Sequence, residues 1–255
     1  MIKNSLEMID AADVGIGANV LEGVGDQPPK LDLSTLPAVV VSGTTLVDFS
    51  TAQSPMVRAS VSLAMLYASR VATVAMSKLV DSDEDDWLAR YNQALAEVGF
   101  AVSGSTVVHS SFKKSNVAVH KAIIPFLTLA FGGGAAGALI IQALKSLQEM
   151  DAESPSPWVT LFDKQTRRFN LREMHFAAVS ANEVETTIAN AVARLNVDTG
   201  STQILFFKLS KSNANFDSTT TRMTANNGLL AVNEPKLQAK LIKFIDDSIA
   251  GADVG

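Results

Sequence analysis

The residues that could carry acid–base or metal chemistry are three histidines and a short run of carboxylates. The histidines, His109, His120 and His175, are dispersed, and none belongs to an HExxH or similar close pair that binds a metal ion. A structural or surface role is the favoured interpretation of each. The sequence therefore predicts no catalytic residue and no metal site. The open alternative is a hydrolase whose site pairs a histidine with a distant carboxylate.

The carboxylate run has only a partial resemblance to a calcium-binding loop. Asp81, Asp83 and Asp85 occupy the first, third and fifth positions of such a loop. The sixth position should be glycine and is Asp86, and the twelfth should be glutamate and is Asn92. The run is better explained as the start of a helix, where carboxylates complement the helix dipole.

Other classes of site are excluded by composition. The chain has no cysteine, which rules out disulfides, thiolate nucleophiles and cysteine-ligated zinc. The glycines of "GIGANVLEG" do not follow a strand as a dinucleotide loop requires, and no Walker or G-x-S-x-G motif is present. The formal charge of −5 is accompanied by no clustered basic stretch, which argues against nucleic-acid binding. No cofactor is predicted.

The longest uncharged segment is residues 122–144. A run of this length can cross a bilayer as one helix. However, Gly132, Gly133 and Gly134 divide it, and each would cost roughly 1 kcal/mol inside a helix relative to alanine. We therefore predict a hinge at these three glycines and a hairpin of two apolar helices, each of about four turns.

The apolar side chains of this hairpin are expected to cover almost the whole circumference of its helices, unlike those of an ordinary surface helix. Three roles stay open: the hairpin fills the core, enters a membrane, or lines a pocket for an acyl chain. The residues that would carry these roles are Ile123, Ile124, Phe126, Leu127, Phe131, Leu139, Ile140 and Ile141.

The surrounding elements predict an α+β fold: a helical middle with the apolar hairpin, then an antiparallel sheet and a C-terminal helix. Residues 1–36 are expected to form an irregular N-terminal arm, because residues 15–30 hold four glycines and two prolines. Residues 37–255 are expected to form a single domain, with a helical part at 54–150 and a sheet part at 160–250.

Several boundaries within this domain follow from local signals. Short strands are predicted at 38–42 and 46–49, and a helix is predicted to begin with Ser54 as N-cap and Pro55 in its first turn. A second helix should end at Gly99. Residues 160–163 are expected to be a strand of the sheet, residues 184–197 suit a strand or a helix, and Pro235 is expected in the first turn of the last helix.

The order of these elements resembles that of the Erwinia virulence factor family, from about Val39 to Ile249. The most specific pieces are W-x-x-x-Y-x-x-x-L-x-x-x-G-F at 87–100 and "LF" with "FN" at 161–170. The resemblance implies a mixed α/β fold, a role in colonisation of or toxicity toward an insect host, and membrane association through a cysteine-linked palmitoyl chain in an apolar pocket. That cysteine would fall near Met174, and this chain has none. A pocket for a free lipid, or a pocket filled by Met174 and Phe176, is what remains.

The favoured hypothesis is a non-enzymatic virulence or toxin-like protein that acts at membranes or binds a lipid through the hairpin, with Met174 as part of the lipid site. The alternative is a structural or interaction module, such as a homo-oligomer subunit or a secreted cargo, that uses its sheet edge or its arm. The N-terminus shows no signal peptide. We therefore expect the protein to be cytoplasmic as synthesised, exported by another route, and active at host membranes if the resemblance holds.

Overall fold

The computed structural model describes residues 2–15, 30–78, 84–112, 117–133, 135–147, 155–168, 173–195, 205, 208–209 and 214–252. Three subjects of sequence prediction lie outside these ranges: residues 16–29 of the arm, the carboxylates Asp81 and Asp83, and the hinge residue Gly134.

Groups of helices and groups of strands follow one another along the chain. Within the described ranges the helices are α1 (Ile2–Ala11), α2 (Pro55–Ser77), α3 (Glu84–Glu97), α4 (Val119–Ala130), α5 (Ala138–Ser146), α6 (Pro157–Arg168), α7 (Asn227–Leu241) and α8 (Ile245–Ser248), with a 3-10 turn at Leu33–Thr35.

The strands form one large and one small sheet. They are β1 (Val39–Ser42), β2 (Thr45–Thr51), β3 (Ala101–Phe112), β4 (Val117–Ala118), β5 (Glu173–Ala181), β6 (Glu185–Leu195), β7 (Lys208–Leu209), β8 (Ala214–Asn226) and β9 (Ile249–Gly251). The large sheet has seven strands in the order β3-β8-β6-β5-β2-β1-β9, and β4 pairs with β7. Only β2 and β5 pair in parallel among the described strands; the other neighbours are antiparallel.

The seven-stranded sheet is covered by helices on both sides. Successive side chains of a strand point to opposite faces. In β2, Val47 and Phe49 therefore pack with α1, α2, α3 and α7, on what we call the α2 face. Leu46 packs with α4, α5 and α6, on what we call the hairpin face. The sheet thus separates two hydrophobic clusters, and the hairpin belongs to one of them.

The structure confirms the α+β class and several local predictions. β1 and β2 lie where short strands were expected, on either side of Gly43. Helix α2 has Ser54 as N-cap and Pro55 in its first turn. Gly99, with φ 108°, follows α3 in the left-handed region that favours glycine. Residues 185–195 are a strand.

Other predictions are wrong in detail. The arm is not irregular at 2–11, because α1 forms there and packs on α3 and α7; Ser5 donates a hydrogen bond to the Glu97 carbonyl (2.8 Å). Residues 160–163 belong to α6 rather than to the sheet. The last long helix begins at Asn227, eight residues before Pro235, because the Asn226 side chain caps it by accepting from the amides of residues 228 and 229. The sheet is not confined to 160–250, since β1, β2 and β3 join it.

Candidate functional site

The candidate site is the hairpin formed by α4 and α5. These helices have 12 and 9 residues, so the prediction of about four turns each was too long. They span roughly 18 and 14 Å, less than the hydrocarbon core of a bilayer at about 30 Å. Between them, Gly132, Gly133 and Gly137 adopt positive φ angles of 78°, 67° and 77°. The hinge thus includes the predicted Gly132 and Gly133, and it also depends on Gly137.

Gly137 is the most constrained of the described glycines in this turn. A Cβ at this position would lie 2.1 Å from Cδ2 of Phe131, whereas Gly132 and Gly133 have open space around the corresponding point. Phe131 is itself 5% exposed and packs into the hairpin-face cluster. The Phe131 ring therefore fixes the turn, because it packs against position 137, which only glycine can occupy.

The predicted lipid or membrane residues come together on the inner side of this hairpin. All nine pack in the hairpin-face cluster. The buried ones are Ile123, Phe126, Leu127, Phe131, Ile140 and Met174, and the partly buried ones are Ile124, Leu139 and Ile141. Phe176 of β5 is fully buried there too. This placement makes them part of the core, and lipid contact by these residues stays a prediction.

The outer side of the hairpin is a separate stripe, which corrects the expectation of an almost wholly apolar circumference. On α4 the exposed positions are Lys121, Pro125, Thr128 and Leu129, and on α5 they are Ala138, Gln142 and Lys145. Each set recurs at the three- and four-residue spacing of one helix face. Leu129 is 75% exposed, the highest value among the exposed large apolar residues.

A buried carboxylate from β2 fixes the hairpin to the sheet. Asp48 is 1% exposed, and its Oδ2 accepts hydrogen bonds from the amides of Leu139 (2.8 Å) and Ile140 (3.4 Å) at the start of α5. Its Oδ1 accepts from the Ser50 amide (2.7 Å). Gly137, the N-cap residue of α5, has no side chain to do this. A residue 91 positions earlier in the chain therefore caps the helix.

The second cluster of chemical interest lies on the α2 face and is enclosed. The imidazole Nε2 of His175 lies 3.2 Å from Oε2 of Glu173, and both side chains are fully buried. The rings of Trp87 and Tyr91 meet the His175 ring edge to face, with centroids 5.0 and 5.8 Å away. Burial raises the pKa of Tyr91 to about 12. With no exposed surface, this pair acts in the structure as a polar contact of the core.

His120 is part of the hairpin. It lies in the first turn of α4, is 3% exposed, and its Nδ1 lies 2.7 Å from the carbonyl oxygen of Leu205. Burial lowers its pKa. The side chain of His109, in β3, lies outside the described set. The two described histidines lie on opposite faces of the sheet, so they form no joint site.

A groove of about 570 Å³ opens elsewhere, between residues 30–34, the start of α2 and α7. Met56 and Ala59 line it with Glu234, whose pKa is raised by burial. Met56 and Ala59 pack with the α2-face cluster, on the opposite side of the sheet from Met174. This groove is therefore not the acyl pocket that the resemblance implies.

Two further findings bear on membranes and metals. In the described part of the chain, one helix, Pro55–Ser77, has the length and composition to cross a membrane, and 78% of its most apolar window is buried in the fold. Burial of this kind is typical of a core helix. Among the described residues, no group of three or more histidine, aspartate or glutamate side chains could hold a metal ion.

No family model matches the chain, and no curated protein matches it. The resemblance to the Erwinia virulence factor family therefore stays a hypothesis that depends on the order of the elements.

Sequence reasoning missed two features of the site. Asp48 was not recognised as a helix cap, because its partners at 139 and 140 are far along the chain; the only signal was a carboxylate in the apolar stretch "TLVDF". The exposed stripe was also missed. The spacing of Lys121, Thr128, Gln142 and Lys145 carried that signal, since these are the polar positions of α4 and α5 that face outward.

Proposed function

We propose that this protein is a non-enzymatic membrane-associating protein that docks on anionic lipid surfaces through the exposed tip of its hairpin. The observation that carries the proposal is Leu129, a leucine 75% exposed at the end of α4, in a stretch without charge from 122 to 144. A side chain of this kind loses contact with water when it enters the acyl boundary of a bilayer.

The positions of the flanking lysines support shallow docking. Lys121 lies eight residues before Leu129 on the exposed side of α4, and Lys145 lies seven residues after Ala138 on the exposed side of α5. At 1.5 Å per residue, both cations lie about 10–12 Å along the helices from the tip. Interfacial segments insert about 5–10 Å, so a tip inserted that far brings both lysines to the level of the headgroups.

Energetics favour docking of the tip over release of the whole hairpin. Opening it would expose six fully or almost fully buried side chains: Ile123, Phe126, Leu127, Phe131, Ile140 and Leu144. At about 1.5–3 kcal/mol each, this costs roughly 9–18 kcal/mol, as much as the whole stability of a typical domain. Docking through Leu129 disturbs none of these contacts.

The same magnitudes give the expected affinity. Transfer of Leu129 contributes about 2 kcal/mol and each lysine about 1 kcal/mol near an anionic surface. The sum of about 4 kcal/mol corresponds to a Kd near 1 mM lipid, which is weak and reversible. The test is flotation or sedimentation with vesicles of pure phosphatidylcholine and of phosphatidylcholine with 30% phosphatidylserine, from about 0.1 to 10 mM lipid.

Three variants separate the contributions. Leu129→Ser should weaken binding about 30-fold on both vesicles, and Lys121→Gln about 5-fold on anionic vesicles only. Val184→Ser is the matched control, because Val184 is 59% exposed and lies in the turn between β5 and β6. If the folded protein does not bind 10 mM anionic lipid, or if Leu129→Ser binds as the parent does, docking by the tip is refuted.

A role in virulence or toxicity toward a host enters the proposal through the family resemblance alone. Binding of a free lipid inside the hairpin-face cluster is the second form of the hypothesis. It would require space among side chains that include Met174 and Phe176, both fully buried. Extraction of the purified protein with organic solvent, followed by mass spectrometry, would distinguish an internal lipid from surface docking.

A further inference from the structure

The outer edge of β3 is an unpaired strand edge. β3 has 12 residues and pairs with β8 from Ala101 to Phe112. It stands at one end of the seven-stranded order, and in the described part of the chain no strand pairs with its other side. A free edge presents a row of backbone N–H and C=O groups to solvent, which is a template for another strand.

Neither helical layer covers the described side chains of this strand. Residues 101–107 are exposed, apart from the half-buried Gly104. Val102 and Val107 are each 58% exposed. Among the described contacts, β3 is held mainly by β8, although its valines and its threonine are β-branched residues that suit strands.

A bulge brings the two exposed valines to the same face. Val102 lies opposite Met223 and Gly104 lies opposite Arg222, so Ser103 is an extra residue in β3. Val107 lies opposite Thr219, four residues from Met223 on β8. Residues directly opposite each other share a face, so Val102 and Val107 both point to the α2 face, with Ser105 between them.

Apart from the bulge at Ser103, the strand lacks the devices that usually protect an edge. Residues 101–112 include no lysine, no carboxylate and no proline. The other edge strand, β9, has only three residues, and Gly251 in it lies against the ring of Pro37. A short edge beside proline is protected, whereas a long uncharged edge is not.

We propose that β3 pairs antiparallel with β3 of a second copy, about a two-fold axis at Ser105, and so joins two seven-stranded sheets into one. The second copy is favoured because an uncharged strand approaches its own copy without like-charge repulsion, and because the register is self-complementary. With Ser105 opposite its own counterpart, Val107 of each copy lies beside Val102 of the other. Four valines then cover one another on one face.

The pairing would satisfy about one backbone hydrogen bond per paired residue on either side of Ser105, since alternate pairs exchange two bonds each. It is independent of the hairpin, because β3 and the hairpin are separate surfaces. Dimerisation and vesicle binding can therefore fail separately.

The sharpest test uses the absence of cysteine in the chain, because one new thiol is then unique. Ser105→Cys places the two thiols across the axis, where directly opposite Cα atoms are about 4.5–5.5 Å apart, within the range of about 4.4–6.8 Å that a disulfide spans. Mild oxidation should convert most of the protein to a covalent dimer. Thr106→Cys is the matched control, because both residues are exposed but the Cα atoms of Thr106 would lie about 8 Å apart, too far to bridge.

Light scattering of the unmodified chain gives a second readout. We expect a mass of twice 27.0 kDa at about 100 μM for the parent and for Val184→Lys, and a monomer for Val107→Lys, with circular dichroism checking that each variant is folded. A monomeric parent, equal cross-linking of the two cysteine variants, or a folded Val107→Lys that stays dimeric would overturn the proposal. Cross-linking to a different protein in place of a second copy would also overturn it.

Discussion

Replacing Asp48 should release the start of α5 from the sheet. The side chain accepts hydrogen bonds of 2.8 Å from the Leu139 amide and 2.7 Å from the Ser50 amide, with a longer one of 3.4 Å from Ile140. It is 1% exposed, so water does not replace these bonds freely. The two variants to compare are Asp48→Ala, which removes every acceptor, and Asp48→Asn, which keeps one neutral oxygen.

The expected magnitude follows from the count of bonds. A buried amide left without its acceptor costs about 1–3 kcal/mol, and the amides of Leu139 and Ser50 both lose theirs in Asp48→Ala. We therefore expect a loss of about 2–6 kcal/mol in the free energy of unfolding. For Asp48→Asn we expect about 2 kcal/mol, from the charge-assisted bonds and the helix-dipole interaction.

Urea unfolding followed by tryptophan fluorescence measures the global loss, and hydrogen exchange locates it. The amides of α5 should lose protection more than those of α2. Asp32→Ala is the matched control, because Asp32 also caps a helical turn by accepting from the Ser34 amide (2.9 Å), but it does so in solvent. If Asp48→Ala costs under 1 kcal/mol, or if protection falls equally in α2 and α5, the cap does not hold the hairpin.

Three further outcomes follow from the same geometry. Gly137→Ala should destabilise the protein by more than 1 kcal/mol in urea unfolding, because φ is 77° and the ring of Phe131 occupies the Cβ position, while Gly104→Ala, with open space around it, should be nearly neutral. Burial lowers the pKa of His120, so the unfolded chain binds a proton before the folded one does; stability should fall as pH drops below about 6.5, and His120→Gln should flatten that fall. The pKa of Tyr91 is raised to about 12, so absorbance at 295 nm should show no ionisation of this residue near pH 10 while the protein stays folded.

The sequence was sufficient to predict the structure at positions where a single residue restricts the backbone. Pro55 after Ser54 fixed the start of α2, Gly99 fixed the end of α3, and the glycines at 132 and 133 fixed the turn of the hairpin. Each of these positions restricts the backbone by its own chemistry, whatever surrounds it. The α+β class followed from the same signals.

The parts that depend on distant partners were not predictable in this way. α1 has five polar residues among its ten, and it is held by contacts such as Ser5 with the Glu97 carbonyl and with Asn233. Residues 160–163 include the apolar pair Leu161 and Phe162, which suits a strand, yet in α6 the buried residues Trp158 and Phe162 repeat at a helical spacing. The parallel pairing of β2 with β5 has no sequence signature at all. Tertiary context overrode local preference in each case.

The candidate site likewise has a part that the sequence predicted and a part that it did not. The sequence identified the residues of the hairpin, because an uncharged run is visible without a structure. It did not separate the inner side from the outer side, since that depends on where the sheet lies. Leu129 and Ile123 have equal apolar character, and only the fold makes one 75% exposed and the other buried.

The cap supplied by Asp48 also has a consequence for the order of folding. An isolated helix of nine residues is unstable in water, so α5 gains its structure only when β2 is in place beside it. β2 in turn pairs with β5. In this pair Thr45 of β2 lies opposite His175 of β5, which comes 130 residues later in the chain. At synthesis rates of about 5–20 residues per second, the uncharged segment at 122–144 leaves the ribosome several seconds before β5 does. During that interval it has no sheet to cover it, and this is the period in which the nascent chain is most exposed to aggregation or to capture by chaperones.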